Sequence, residues 1–314
     1  MGLRERLHSV WFLWFVAFSI IAVGFLSRSV RTPSVPQQLK STVLVTLSGR
    51  LGNQLFQVAA SEFITARIKP QKVLFLRNNY SAETDFSQGV FRDLKHVNSV
   101  SEACRGLRRN YYSHKRMSCS HVRRNQLKGE CLIVEGLFQC PHFANAGSSL
   151  VRSLFESSLI ASKAEETYRS YAAVSPASPV VAIHIRRGDY TKRFNRNFLE
   201  PLPMKYYIRA TKFMPKNAIY LVFSDDTAWC KSNLPELFRK IPHSRLIFVK
   251  ETDASISLAL MSLADHFIIA NSTFSWWAAF LRRFEKKIVV SPKNWFGDRV
   301  TEKNKIYPRK WIRV

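Results

Sequence analysis

Acidic residues are scarce in this chain: 22 Asp and Glu stand against 48 Lys and Arg, leaving a formal charge of +26. Such a field draws anions, whether nucleic acid, a membrane surface or a nucleotide. Nucleic acid is poorly supported, because zinc-finger spacing, aromatic RNA-binding motifs and a basic zipper are all missing. The basic cluster from Arg105 to Lys128 reads as a solvated face. Cysteine is limited to five residues with no Cys-x-x-Cys pair, which argues against a structural zinc. Cys104, Cys119, Cys131 and Cys140 share one half of the chain and Cys230 stands alone in the other. An oxidising compartment would allow two disulfides and one left-over thiol; spacing does not give the pairing. Glycine is sparse, and the Gly49-Arg-Leu-Gly52 turn lacks the third glycine of a dinucleotide fingerprint, so a nicotinamide cofactor is not expected. His8, His114, His121 and His142 are too scattered to form a ligand set, and no repeat or low-complexity tract is present.

One long apolar run exists, from Val10 to Leu26. It has roughly the 17–25 residues that cross a bilayer. A cleaved signal peptide is the competing reading, with Ala22-Val-Gly24 as the small-residue site. The two aromatic pairs Trp11-Phe12 and Trp14-Phe15 favour an uncleaved anchor. Arg4 and Arg6 before the run and Arg28 and Arg31 after it leave orientation undecided by charge. A short tail and a large following domain point to a lumenal body. The expected organisation is a cytoplasmic tail (1–9), a transmembrane signal-anchor (10–26) and a stem (27–41). An N-terminal α/β domain (42–175) and a C-terminal α/β domain (176–314) follow, divided at the linker Val174-Ser-Pro-Ala-Ser-Pro179.

After the stem, Thr42–Leu47 reads as a strand, Ser48–Gly52 as a turn, and Asn53 as the opening of a helix with Leu55, Phe56, Val58, Ala59, Phe63 and Ala66 on its packed face. Val73–Leu76 and Cys131–Glu135 read as strands and Leu150–Ile160 as a helix; Asn78–Gly129 is polar and irregular. Beyond the linker, strands at Val180–Ile185, Ala218–Phe223, Leu246–Val249, His266–Ala270 and Lys287–Val290 alternate with helices at Pro203–Met214, Ser255–Ala264 and Thr273–Phe284. This alternation implies mostly parallel sheets covered by helices.

Four short stretches carry chemistry. Val180–Ile185 ends on Arg186-Arg-Gly-Asp189, placing two guanidinium groups and a carboxylate at the carboxyl end of a strand, where α/β proteins collect ligands. Arg186 and Arg187 suit phosphate oxygens through paired, charge-assisted hydrogen bonds, against the competing reading of a structural ion pair. Gly49–Gln57 forms a strand-turn-helix whose free amides attract anions. Asn271-Ser-Thr-Phe-Ser275 opens another helix; Asn271 or Ser272 would cap it, and Ser272, Thr273 and Ser275 offer hydroxyls. Trp276, Trp277 and Phe280 read as core. Adjacent Asp225 and Asp226 invite a divalent cation, but no second carboxylate cluster supports one. Asn79-Tyr-Ser81 and Asn271-Ser-Thr273 are glycosylation acceptors; Asn79 is expected to be modified and Asn271 to be buried.

In their order along the chain, Gly49-Arg-Leu-Gly-Asn-Gln-Leu-Phe-Gln57, the central His-Ile-Arg-Arg-Gly-Asp run, Phe223–Lys231 and Ala270–Phe280 resemble the α-1,2-fucosyltransferases of glycosyltransferase family 11. Gly136-Leu-Phe-Gln-Cys140 resembles the family's segment between the first and central motifs, and the likeness covers roughly Val43 to Val290. The resemblance implies a GT-B architecture of two Rossmann-type domains facing a cleft, metal-independent inverting transfer, and GDP-fucose as donor. It implies a glycan acceptor on glycoprotein or glycolipid. The Val10–Leu26 span, the short stem and the cysteine-bearing domain lead to the expectation of a single-pass type II protein of the Golgi membrane. Donor-binding roles are implied for Arg50, His184, Arg186, Arg187, Asp225, Asn271, Ser272, Thr273 and Ser275. His184 would bond the donor or Arg186, or serve simply as a core histidine. Arg187, Asp189 and Asn53 are expected to be catalytic. Asp189 would be a base, or would only hold Arg187 or Asn53. Arg50 and Asn53 also resemble a GRxGNQ stretch shared with protein O-fucosyltransferases, although many family 11 members have Gly where Arg50 stands. A protein O-fucosyltransferase and a catalytically silent glycan-binding membrane protein are the rival readings.

Overall fold

The computed structural model describes residues 41–77, 86, 89–114, 119, 122–156, 158–192, 199–238, 245–296 and 305–314. The apolar run, the stem up to residue 40 and the acceptor Asn79 lie outside them. Among the described residues no helix is long and apolar enough to cross a membrane.

Residues Ser41–Val314 contain two parallel sheets. In the first, β1 (Thr42–Leu47), β2 (Lys72–Arg77), β3 (His96–Val97), β4 (Arg109–Ser113) and β5 (Cys131–Glu135) take the order β3-β2-β1-β5-β4. Every pairing is parallel, Thr42 lying opposite both Lys72 and Cys131. In the second, β6 (Val180–Ile185), β7 (Ile219–Ser224), β8 (Arg245–Phe248), β9 (His266–Ile268), β10 (Val289–Ser291) and β11 (Ile312–Arg313) take the order β11-β10-β9-β6-β7-β8, again all parallel. The central strands β1 and β6 are unbroken runs of buried residues. Strands covered on both faces require this pattern.

Both sheets reverse direction once. The chain runs outward from β1 to β3 and returns with β5 beside β1; in the second it runs outward from β6 to β8 and returns with β9 beside β6. At such switch points the loops leaving two neighbouring strands diverge and open a crevice above their carboxyl ends. The loops after β1, β5, β6 and β9 hold Gly49–Arg50, Gly136–Gln139, Arg186–Asp189 and Asn271–Ser272.

The helices α1 (Leu51–Ile68), α2 (Val100–Ala103), α3 (Pro141–Ala146), α4 (Ser148–Phe155), α5 (Ser158–Ala172), α6 (Met204–Thr211), α7 (Thr227–Phe238), α8 (Ala254–Ser262) and α9 (Thr273–Leu281) cover the sheets. α1 and α9 pack on each other, as do α5 and α8. Phe56 of α1 lies 4.6 Å from the Trp276 ring and 4.9 Å from that of Trp277, and all three are completely buried. Trp276 Nε1 donates to the Ile306 carbonyl, so its one polar atom is satisfied inside the core. Lys287 Nζ closes the far end of α9 by donating to the Ala279 and Arg282 carbonyls. Burial pulls its pKa down to about 8.

Two disulfides, Cys104–Cys131 and Cys119–Cys140, brace the first sheet, and Cys230 is a buried free thiol. Several elements differ from the sequence expectation. Asn78–Gly129 holds β3, α2 and β4, whose alternately exposed residues give no apolar run. α1 begins at Leu51, so Asn53 is its third residue. The single helix expected over Leu150–Ile160 is two, α4 and α5. Residues 174–179 form an ordered turn in which the hydroxyls of Ser175 and Ser178 lie 2.8 Å apart and the Val174 carbonyl accepts from Arg245.

Candidate active site

The turn after β1 is built from the inside. Gln57, fully buried on α1, accepts from the Ser48 amide and donates to the Ser48 hydroxyl and the Gly136 carbonyl, each at 2.9 Å. Gln54 Nε2 donates to the Gly49 carbonyl at 2.9 Å. Gly49 has φ +75, and a Cβ there would come within 2.5 Å of Asn53 Nδ2. Glycine supplies both the left-handed turn and the room over that amide. Arg50 is the N-cap residue, with extended backbone and no side-chain cap bond.

Asn53 points across to the other half of the site. Its Oδ1 accepts from Thr273 Oγ1 at 3.0 Å and from Gln139 Nε2 at 2.9 Å. Gln139 follows Phe138, a buried residue with φ +50, whose ring is stacked 4.8 Å from His114 and edge-on to Phe143. Sequence reasoning attached no role to Gln139. The Gly136–Cys140 stretch marked the segment, but nothing local reveals a partner 86 residues away.

Beyond β6 the charges interlock. Arg186 forks onto two carboxylates, with Asp189 Oδ1 at 2.6 Å and Asp225 Oδ2 at 2.9 Å, and its side chain is 13% exposed. Its guanidinium lies over the Tyr190 ring, and the Tyr190 hydroxyl donates to the Asn271 carbonyl at 3.0 Å. Burial raises the Tyr190 pKa, keeping the phenol protonated as that donor. Arg187 binds Asp226 through Nε at 3.0 Å and stacks 4.0 Å above Trp229, while its backbone amide donates to Asp225 Oδ1. Asp226 also caps α7 by accepting from the Trp229 amide. That bond and Arg187 hold its carboxyl below the usual range. A Cβ on Gly188 would meet Asp225 Oδ2 at 2.4 Å, so the carboxylate fits against the loop because glycine stands there. Arg50 reaches Asp189 Oδ2 at 3.9 Å from the first sheet.

After β9, Asn271 is 3% exposed, as the reading of its acceptor sequence expected, and its Nδ2 donates to the Glu200 carbonyl. Ser272 occupies the N-cap position of α9 without a side-chain cap bond, and Thr273 turns its hydroxyl to Asn53. Ser275 is fully buried; its hydroxyl lies 2.9 Å from His184 Nδ1 and donates to the Ser272 carbonyl. Burial, helped by nearby Arg186, drives the His184 pKa down to about 3, so the ring is neutral. His184 and Ser275 thus sit behind the cleft wall, joining β6 to α9. Among the described residues no group of three or more His, Cys, Asp or Glu side chains is placed to hold a metal.

The structure therefore brings Asn53, Gln139, Thr273, Arg50, Asp189, Arg186, Arg187, Asp225 and Asp226 into one connected network. It carries three guanidinium groups, three carboxylates and, in Asn53, an amide whose carbonyl edge is engaged. Such a site can neutralise an anionic leaving group and orient a neutral donor beside it.

The family model for "Glycosyl transferase family 11" matches residues 14–314. The "O-antigen biosynthesis glycosyltransferase WbnK" of Escherichia coli is 28% identical over 307 residues, covering 85% of this chain and 99% of its own. An "Alpha-1,2-colitosyltransferase" of Escherichia coli is 28% identical over 294 residues, covering 87% of this chain and 99% of its own. "Galactoside alpha-(1,2)-fucosyltransferase 2" of Pongo pygmaeus is 22% identical over 289 residues, covering 89% of this chain and 79% of its own. With the match spanning nearly the whole sequence, the chain belongs to glycosyl transferase family 11.

Proposed function

We propose that this enzyme transfers fucose from GDP-fucose to the 2-hydroxyl of a galactoside, inverting the anomeric centre. The observation that carries the reading is the convergence of the family's motifs on the two sheet switch points, where Asn53 and Thr273 meet. Negative charge develops on the departing β-phosphate, and fixed cations answer it without reorganising. Arg187, held on one edge by Asp226 and lying over the Trp229 ring, presents the rest of its guanidinium to that charge. Arg186, gripped by Asp189 and Asp225, sets the local potential and the loop shape. Asn53 offers its amide hydrogens beside them, and Asp189 either takes the acceptor proton or keeps Arg50 and Arg186 in place.

The relatives' names divide the donor question. A colitosyltransferase lies at 28% identity and a galactoside fucosyltransferase at 22%, so a second deoxysugar donor has a specific claim. Radiolabelled GDP-fucose and GDP-colitose, each offered with a lactoside, a galactosylated glycan and a folded protein domain, test the reading. Label from GDP-fucose on the galactosides supports it. Label on the protein domain alone would select a protein O-fucosyltransferase, and binding without transfer a silent lectin-like protein. Transfer is expected to persist in EDTA.

We also place the chain in the Golgi membrane through Val10–Leu26, with the body lumenal. The apolar run and two disulfides, which form in oxidising compartments, support this. Protease added outside sealed microsomes should leave the body intact.

A further inference from the structure

We infer that Gln139 is a positioning residue for Asn53, working as one jaw of a clamp whose other jaw is Thr273; this rests on the transferase reading above. A carboxamide oxygen has two lone pairs. In Asn53 both are engaged, one by Gln139 Nε2 at 2.9 Å and one by Thr273 Oγ1 at 3.0 Å. A side-chain amide that is free to turn presents oxygen or nitrogen to a substrate indifferently. Two donors on one edge remove that freedom and commit the other edge, the NH2, to the space left open by Gly49.

The way Gln139 is delivered shows how firmly the jaw is held. Phe138 immediately before it has a left-handed backbone (φ +50), a conformation a bulky residue adopts only when its surroundings impose it. Here they do: its ring is completely buried between His114 and Phe143. Gly136 has φ +136, and a Cβ there would meet His114 at 2.8 Å, while its carbonyl is tied to Gln57. Cys140 on the other side is fixed to Cys119. The segment is thus pinned on both flanks, and the side chain it projects at the site ends on Asn53. Thr273 is fixed as rigidly, because it opens α9 where Gly52 of α1 packs against its backbone.

The clamp draws one jaw from each sheet. Gln139 leaves β5 at the first switch point and Thr273 follows β9 at the second, 134 residues later in the sequence. Asn53 is therefore correctly oriented only when both sheets are in their final places.

The test is steady-state transfer from GDP-fucose by the full chain and five variants, with melting temperatures measured alongside. Gln139→Met removes the donor and keeps the length. We expect kcat to fall about tenfold to a hundredfold, in line with misplacement of a group at the reacting centre, with the donor KM within about threefold. Thr273→Val should behave alike and Thr273→Ser, which keeps the hydroxyl, should recover most of the rate. Asn53→Ala should make Gln139→Met silent: the double variant should be no slower than Asn53→Ala alone, since a residue acting through another has nothing left to position. Wild-type kcat in a folded Gln139→Met enzyme, or rate losses that multiply in the double variant, would overturn the clamp. No transfer by the unaltered chain would instead overturn the function it serves. If Gln139→Met melts early, Gln139→Glu gives the same decision, because it keeps the volume and sets a carboxylate against Asn53 Oδ1.

Discussion

Gly52 and Thr273 touch backbone to backbone across the two sheets: a Cβ on Gly52 would come within 2.6 Å of Thr273 Oγ1 and of the Phe274 amide nitrogen. Gly52 does not have a positive φ, so the requirement is space alone. The prediction is that Gly52→Ala forces α1 and α9 apart, costing about 2–3 kcal/mol as overpacking does, and abolishing most activity with it. Gly106→Ala is the comparison, since φ there is +71 but nothing lies within 4 Å of the added atom. Denaturant midpoints of the two variants check the ordering; a Gly52→Ala protein at least as stable as Gly106→Ala would contradict it.

Asn53→Asp separates orientation from chemistry. The aspartate keeps an oxygen for Gln139 and Thr273, so the fold should survive, but it loses the NH2 and adds a negative charge near the leaving group. We expect an unchanged melting temperature with transfer reduced at least a hundredfold, and near-normal activity for Ser61→Ala on the same helix. Simple capping is set aside by position, because Asn53 is the third helical residue and its oxygen is engaged elsewhere.

Arg186→Lys tests the fork. One ammonium is a point charge and lacks the planar pair of nitrogens that reach Asp189 and Asp225 together. Losing one of the two charge-assisted bonds in a partly shielded site should cost about 1–3 kcal/mol of stability and lower kcat/KM by a comparable factor. Arg187→Lys should leave stability closer to normal, its neighbour Asp226 still being held by the Trp229 amide, while lowering transfer. Thermal melts and kinetics of the pair decide it.

The buried His184 sets an acid limit. Its pKa is near 3 in the folded chain against an ordinary 6.5. The unfolded chain therefore binds a proton that the folded chain refuses between those values. The stability linked to His184 is complete above about pH 6.5 and is lost as pH falls toward 3, at a slope approaching about 1.4 kcal/mol per pH unit. Burial lowers the His266 pKa as well, adding in the same direction. Replacing His184 with Asn, which retains a polar group for Ser275, should flatten this slope in urea titrations at pH 4 to 7.

The central strands announced themselves because Val180–Ile185 and Thr42–Leu47 are long β-branched runs, and that pattern is local. The edges did not: β3 has two residues, and β4, Arg-Asn-Tyr-Tyr-Ser, is half-exposed and lacks an apolar signature. Helix α7 was hidden by Pro235 in its interior, although Asp226 supplied its start. The arginines, carboxylates and Asn53 could be singled out since their residue types carry chemistry at a strand end. How they pair was not legible, because Arg50 to Asp189 and Asn53 to Thr273 are long-range contacts chosen by how the sheets dock. His184 and Ser275 show the same gap from the other side: polar residues in a ligand-rich motif face each other in the core.

The packing of Phe56 against Trp276 and Trp277 bears on how the enzyme would admit its substrates. Three completely buried rings and a glycine contact make the α1–α9 junction a weld. A seam of that kind resists bending, since parting it would expose large aromatic surfaces to water. Breathing of the cleft must then be confined to segments away from that seam. Turnover would be tuned by substitutions there, while those at the weld would decide whether there is an enzyme at all.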